Sequence, residues 1–168
     1  MLTGCQLVLP EMVKRRSGHI INLASMAGIV AVPGQIVYAG TKFAVVGFSS
    51  GLADEFASHG VNVTAVLPTF TNTELISGTS PSAAQKRVQP ADVAAAIVKV
   101  LDKPKTQVSV PGWGRLVGIM TVLLRDRSRR WLSKRTGMDT VFLNLDTTAR
   151  QGYEDRAQHA TGVIEHND

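Results

Sequence analysis

The sequence has one cysteine, few aromatic residues and no long apolar run. Cys5 has no second cysteine to pair with, which excludes an intramolecular disulfide and a multi-cysteine metal site. The longest apolar stretch, residues 116–124, is far shorter than the ~20 residues that cross a bilayer. The four histidines are isolated from one another and from acidic pairs, so we predict no metal site.

The N-terminal segment does not have the residue order of a secretory signal. Its basic residues, 14–16, follow the apolar residues instead of preceding them, so we expect a cytoplasmic protein. The net charge is +5, but the positive excess is concentrated near the C-terminus, and we predict no nucleic-acid partner. With 168 residues and 44% hydrophobic composition, the chain is long enough for one core and at most one ordinary domain.

A short apolar run that ends in serine and is followed by a helical pattern stands out in the first third of the chain. Residues 18–25, GHIINLAS, read as a buried strand with Ser25 at its carboxyl end. The pattern then becomes helical over residues 35–58, where Tyr38 and Lys42 lie one turn apart on the same face. The spacing predicts that a hydroxyl, a phenol and an ammonium meet at the end of a parallel strand.

These three groups together are suited to moving a proton. A free phenol has a pKa of about 10, too high for ready proton exchange at neutral pH. An ammonium about 6 Å from a phenol favours the phenolate by roughly 2.8 kcal/mol at an effective dielectric of about 20. A serine hydroxyl then donates a hydrogen bond to the oxygen of a carbonyl or alcohol and holds it in place.

The setting of these residues strongly resembles the short-chain dehydrogenase/reductase family. The strand ending in Asn-Leu-Ala-Ser, the glycine at position 28, the thirteen residues from Ser25 to Tyr38 and the YxxxK spacing to Lys42 support the resemblance. It implies an α/β fold with a partial Rossmann-like, doubly wound parallel sheet. It also implies an NAD(P)-dependent oxidoreductase that interconverts a secondary alcohol and a carbonyl. In that family Tyr38 would be the general acid/base and would also contact the cofactor. Lys42 would favour the ionised form of Tyr38 and hold the nicotinamide ribose, and Ser25 would orient the substrate oxygen.

A second strand and a polar loop extend the resemblance. Residues 61–67 are a β-branched run that we predict as the next parallel strand. The following loop resembles the family's PGxxxT segment, whose backbone bonds the nicotinamide carboxamide and whose last hydroxyl reaches a phosphate. Thr69 replaces the usual glycine, so the backbone at this position has a narrower range of conformations. An ordinary polar turn is the alternative; the resemblance implies cofactor contacts from Pro68, Phe70, Thr71 and Thr73.

The first half of such a family domain has no counterpart in these residues. Residues 2–15 read as the end of a helix, and no glycine-rich turn of the TGxxxGxG type is present to receive a pyrophosphate. The resemblance covers about residues 2–110, so we predict residues 1–111 as the C-terminal half of the domain and interpret Met1 as an internal methionine. NAD and NADP cannot be distinguished, because the residues that read the 2′ position would lie upstream.

Two functional interpretations stay open. The first is an oxidoreductase that lacks its N-terminal dinucleotide-binding motif in this chain. The second is an inactive truncated fragment that acts only in dimerisation or membrane association. Small residues on the helix over residues 35–58 permit close approach of another backbone, and in the family this helix and the one before it form a four-helix interface. We therefore expect a homodimer or tetramer.

Residues 112–168 are predicted as a C-terminal extension, a basic amphipathic helical segment followed by an acidic tail. Residues 112–137 contain seven basic side chains and one acidic, with an apolar run between Trp113 and Trp131. This segment either makes a peripheral membrane contact or packs across the substrate opening with its arginines in solvent. Its apolar character, and that of the loop at 74–89, favours a lipophilic small-molecule substrate.

Overall fold

The computed structural model describes residues 1–76, 87–143, 151–152 and 155–156. In these residues, helices alternate with the strands of one parallel sheet. The elements follow in the order α1 (Leu2–Lys14), β1 (Gly18–Leu23), α2 (Ile36–Phe56), β2 (Val61–Pro68), α3 (Pro90–Asp102), β3 (Gln107–Val110), α4 (Gly114–Leu123) and α5 (Asp126–Thr136). Short 3₁₀ turns are formed by Met26–Gly28, Ala57–His59 and Glu74–Ile76.

The sheet has the strand order β1-β2-β3, with both pairs parallel. Gly18 is the partner of Val61 at one end of the first pair, and Ala65 is the partner of Gln107 in the second. The central strand β2 is buried along nearly its whole length, as expected for a parallel strand with helices on both faces. The predicted α/β class with a parallel sheet is confirmed.

Alternate residues of β2 pack into different cores, because successive side chains of a strand point to opposite faces. On one face, Val63, Ala65 and Leu67 pack in the clusters that α1 and α2 complete. On the other face, Val66 packs with Val93 of α3. The sheet is therefore covered on both sides. Because its strands are parallel, their carboxyl ends lie at the same edge of the sheet.

Helix α2 with the turn after it, Ile36–His59, is long and apolar enough to cross a membrane by length and composition alone. It contains Lys42, so it is not an uninterrupted apolar run. In the structure, Val46, Ser49 and Leu52 of this helix are buried against the sheet. We therefore interpret α2 as the helix that covers the sheet and whose outer side is left uncovered.

The C-terminal segment is two helices instead of one amphipathic stretch. Leu124 and Arg125 between α4 and α5 have extended backbone, which breaks the helix. After α5 the chain returns to the sheet domain, where Val141 and Phe142 are buried with Val32. The boundary at residue 111 stays a prediction. The acidic tail beyond residue 143 lies mostly outside the described residues.

A buried hydrogen-bond network joins β1 to α2 and gives a test of this packing. The Asn22 amide nitrogen donates to Ser49 Oγ at 2.9 Å, and Ser49 Oγ donates to the Val45 carbonyl at 2.7 Å. Asn22 and Ser49 are 7% and 0% exposed, so water cannot replace a lost partner.

We expect Ser49→Ala to lower the free energy of unfolding by about 1–3 kcal/mol, because it leaves the buried Asn22 amide without an acceptor. Ser50→Ala is the matched control on the same helix, and we expect it to change stability by less than about 0.5 kcal/mol. Urea unfolding of the two variants measures both values. Equal stabilities for the two variants would contradict the network.

Candidate active site

Ser25 lies just beyond the carboxyl end of β1, where it begins the turn Met26–Gly28. Its Oγ accepts a hydrogen bond from the Ala27 backbone N–H at 3.1 Å. This bond uses a lone pair of the oxygen and leaves the hydroxyl hydrogen for another partner. The half-buried side chain is therefore held at the sheet edge where ligands of open α/β sheets bind.

Lys42 connects α2 to the same end of β1. Its Nζ donates a hydrogen bond to the Leu23 carbonyl at 3.2 Å and lies 5.6 Å from the centroid of the Tyr38 ring. The i, i+4 spacing of Tyr38 and Lys42 puts both side chains on one face of α2. The structure thus brings the phenol and the ammonium together, and it brings the ammonium to the backbone two residues before Ser25.

The close contact between α2 and the turn after Ser25 requires glycine at position 28. A Cβ built on Gly28 would lie 2.7 Å from the Lys42 carbonyl oxygen and 2.7 Å from Val46 Cγ2. Real Cβ atoms do not approach backbone this closely, so any larger residue would push the helix away. Gly28 therefore positions Lys42 relative to the end of β1.

Burial lowers the pKa of the Lys42 ammonium below the ordinary lysine value of 10.5, because desolvation disfavours the charged form. The side chain is nevertheless only half-buried, and one hydrogen of its ammonium is bound to the Leu23 carbonyl. An ammonium has three donors, so two are left for a ligand at this edge.

The loop after β2 is fixed to β3 and to the segment before α3. The Thr69 backbone N–H donates to the Val110 carbonyl at 2.9 Å, and the Asn72 N–H donates to the Val88 carbonyl at 2.8 Å. Among the residues that the structure describes, the non-glycine residue with a left-handed φ is Arg16, so Thr69 does not adopt a backbone that needs glycine. The substitution at position 69 is therefore compatible with this loop.

The four loop residues predicted to contact a cofactor have different environments. Pro68 is buried at the end of β2. The Thr71 hydroxyl donates to the Thr69 carbonyl at 3.2 Å, and the Thr73 hydroxyl is 3.5 Å from the Thr71 carbonyl, at the outer limit of a hydrogen bond. Phe70 stacks on Phe142, with ring centroids 5.5 Å apart and planes 15° from parallel.

The packing of Phe142 against this loop was not predicted from the sequence. Phe142 lies in one cluster with Val32 and Phe70, and a Cβ built on Gly34 would meet the Phe142 backbone and Cβ at 2.8 to 2.9 Å. The residues after α5 therefore contact both the segment after Ser25 and the loop after β2. The i, i+3, i+4 spacing of Met138, Val141 and Phe142 was the available sequence signal.

A cavity of about 310 Å³ lies beside these residues. Its walls are mostly apolar and come from residues 29–31, Phe43 of α2 and Leu124, with the ion pair of Asp126 and Arg129 also in the lining. Ser25, Tyr38 and Lys42 are not among its lining residues. The cavity lies on the side of the α4–α5 junction, between residues 29–31 and Leu124.

No group of three His, Cys, Asp or Glu side chains within the described ranges is arranged to hold a metal ion.

The sequence matches known oxidoreductases over its N-terminal part. A family model described as short chain dehydrogenase matches residues 1–83. An uncharacterized oxidoreductase of Staphylococcus aureus (strain N315) is 37% identical over 104 residues, which are 62% of this chain and 45% of the relative. One from Staphylococcus saprophyticus is 39% identical over 97 residues, 58% of this chain and 41% of that relative. The chain thus spans less than half the length of these curated relatives.

Solved structures are similar over most of the chain. A short chain dehydrogenase from Burkholderia cenocepacia, solved in complex with NADP, has a TM-score of 0.65 over 80% of this chain and 53% of its own, at 23% identity. A short-chain dehydrogenase from Streptomyces avermitilis has a TM-score of 0.57 over 77% and 54%, at 31% identity. The first likeness shows the fold alone, and together they confirm the Rossmann-like architecture.

We expect the buried ammonium to make stability depend on pH. Because the pKa of Lys42 is lowered on folding, the unfolded chain binds more protons in the range just below 10.5, and stability rises with pH there. Lys42→Met should remove this contribution, so the stability difference between wild type and variant should shift in favour of wild type as the pH rises towards 10.5.

Lys99→Met, at an exposed position of α3, is the control and should leave the rise in place. Urea unfolding at a series of pH values measures the difference. A stability difference between wild type and Lys42→Met that is constant with pH would contradict the burial of the ammonium.

Proposed function

The chain belongs to the short-chain dehydrogenase/reductase family through residues 1–83, and from this we propose that it supplies the catalytic half of an NAD(P)-dependent oxidoreductase. The reaction would interconvert a secondary alcohol and a carbonyl. The observation that supports it most is the position of Lys42, whose Nζ is 3.2 Å from the Leu23 carbonyl and 5.6 Å from the Tyr38 ring. Ser25 follows Leu23 by two residues at the same edge of the sheet.

The three side chains have separate roles in this proposal. Ser25 donates its hydroxyl hydrogen to the substrate oxygen and holds it, while its own oxygen is bound by the Ala27 N–H. Tyr38 gives a proton to that oxygen in reduction and takes it back in oxidation. Lys42 places its positive charge beside the Tyr38 ring and holds the ribose of the nicotinamide.

The donor groups at this edge fit the nicotinamide half of a dinucleotide. Two hydrogens of the Lys42 ammonium are available for ribose hydroxyls, and the loosely held Thr73 hydroxyl is available for a phosphate. We propose that Pro68, Phe70 and Thr71 line the carboxamide side. NAD or NADP, when bound, exchanges hydride with the substrate carbon. The adenosine half has no matching glycine-rich turn in these residues.

We propose a lipophilic substrate. The cavity of about 310 Å³ beside residues 29–31 has room for an apolar group of several carbon atoms, and Ile29, Phe43 and Leu124 line it. Such a cavity favours an alcohol or ketone with a hydrophobic part over a highly polar one.

We also propose that the chain forms a homodimer or tetramer in the cytoplasm through α1 and α2. The outer side of these helices exposes large apolar side chains, including Leu7 at 75% and Ile36 at 74%. On the same helix α2, Cβ atoms built on Gly40, Gly47 and Gly51 would meet nothing within 4 Å. A second copy could approach this surface closely and cover it.

Cofactor titration distinguishes this function from that of an inactive fragment. With half of a dinucleotide site, the chain alone should bind NADH and NADPH weakly, and fluorescence titration should give no saturation at micromolar concentration. A chain completed with the N-terminal segment of a relative such as the Staphylococcus aureus oxidoreductase should bind one of them and turn over. Absence of turnover in the completed chain would favour the fragment.

In the completed enzyme, we expect Tyr38→Phe to lower kcat by about 10²–10⁴-fold, because the proton donor is lost. Cofactor affinity should change little, since Lys42 and the loop after β2 are intact. Thr41→Val removes a hydroxyl from the same turn of α2 and should keep near wild-type kcat. Steady-state rates and a cofactor titration measure both quantities. A Tyr38→Phe enzyme with wild-type kcat would refute the assigned role.

For self-association, we expect Gly47→Leu to weaken the dimer by about tenfold or more, because its side chain would separate the two α2 helices. Ala94→Leu places the same side chain on the exposed side of α3 and should leave the dimer unchanged. Sedimentation equilibrium gives both dissociation constants. Equal constants for the two variants would exclude α2 from the interface.

A further inference from the structure

Helix α4 has the reverse of the usual arrangement of small and large residues. Among the α4 residues whose side chains the structure describes, the buried ones are Gly114 and Gly118, which face the segment after Ser25. A Cβ built on Gly114 would lie 2.9 Å from Met26 Sδ, and one built on Gly118 would collide with the Ile29 side chain. At these two positions the helix therefore packs on the domain through glycine, where a larger side chain would collide with its neighbours.

The large apolar residues of α4 that the structure describes point to solvent instead. Their exposed fractions are far above those of core residues, and Trp113, just before the helix, is 59% exposed. A helix that packs on its domain usually turns this apolar stripe inward. An outward stripe of this size indicates a binding surface; its members are Leu116 at 62%, Ile119 at 49%, Met120 at 48% and Leu123 at 74%.

Helix α5, which follows α4 after the break at residues 124–125, is positively charged. None of its residues is buried, and Trp131 is 62% exposed. Its one acidic residue, Asp126, is paired with Arg129 at 3.1 Å, and Arg135 lies over the Trp131 ring at 5.7 Å. The exposed cations of α5 and the residue before it are Arg125, Arg127, Arg129, Arg130, Lys134 and Arg135.

We propose that α4 and α5 form a docking surface for an anionic phospholipid membrane. Exposed leucine and isoleucine side chains, two exposed tryptophans and a cluster of cations with a single paired acid are the composition of helices that lie in a lipid interface. Each Lys or Arg near an anionic membrane surface strengthens binding by about fivefold. The charge of α5 is therefore complementary to lipid headgroups.

A second copy of the chain is a poor occupant of the same surface. In a twofold contact, the cations of α5 would face those of the partner, and like charges brought together oppose association. Helix α4 contacts the domain through Gly114 and Gly118. Its apolar stripe is on the opposite side and can therefore meet a planar surface. The membrane contact does not depend on the oxidoreductase activity.

The test is flotation of the full chain with vesicles of equal parts phosphatidylglycerol and phosphatidylcholine. We expect the chain to float with these vesicles at low salt and to be released at about 0.5 M salt. It should not float with vesicles of phosphatidylcholine alone. The two tryptophans are the whole tryptophan content of the chain, so their emission should shift to the blue on binding.

Two pairs of variants separate the apolar and the charged contributions. We expect Leu116→Ser with Leu123→Ser to weaken vesicle binding by about tenfold or more, and Arg127→Gln with Arg130→Gln by about 25-fold. The apolar control is Val98→Ser with Leu101→Ser, at exposed positions of α3, and the charge control is Lys103→Gln with Lys105→Gln. Both controls should bind as wild type does.

Urea unfolding of each variant checks that it is folded. The tryptophan emission shift is measured on the wild type, so it tests vesicle binding without any substitution. No flotation of wild type at low salt would overturn the proposal. Equal loss of binding in the control pairs would overturn the assignment to α4 and α5. A change of mass in light scattering for the α4 pair, with no change in flotation, would show that a second copy covers the face.

Discussion

The hydrogen bond from Lys42 Nζ to the Leu23 carbonyl is the contact on which the rest of the site depends. It ties α2 to the carboxyl end of β1 and puts an ammonium beside the Tyr38 ring. The contact is possible because Gly28 has no Cβ, so the helix backbone can reach the turn after Ser25. Burial of the ammonium disfavours its charge, and the carbonyl oxygen partly offsets that cost. The packing of α2 on β1 therefore also sets the position of the ammonium in the proposed site.

The two sides of α2 serve different purposes. Its inner side fills the core over β2 and holds the buried pair of Asn22 and Ser49, which fixes the helix relative to the sheet. Its outer side is apolar and rich in small residues, and we propose that a second copy covers it. Helix α4 also has two different sides, with glycine against the domain and large apolar side chains outside, and for α4 and α5 the proposed partner is a lipid surface.

Local patterns in the sequence were enough to predict the strands, the long helix and the positions of Ser25, Tyr38 and Lys42. Strand period and helix period are properties of neighbouring residues, so they can be read without the fold. The break at residues 124–125 was not predicted, because apolar and basic residues continue a helical pattern on both sides of it. The contact of Phe142 with the loop after β2 joins residues about seventy positions apart. The outward stripe of α4 was also missed as a structural feature, since amphipathic patterns do not say which side meets the domain.

The most direct test of the account is a solution NMR measurement on the chain itself. Protons of the Lys42 side chain next to Nζ should show nuclear Overhauser effects to the Tyr38 ring protons, because Nζ is 5.6 Å from the ring centroid. They should also show a single restrained conformation, because the ammonium is bound to the Leu23 carbonyl. A lysine side chain that averages freely and shows no effect to the ring would contradict the site.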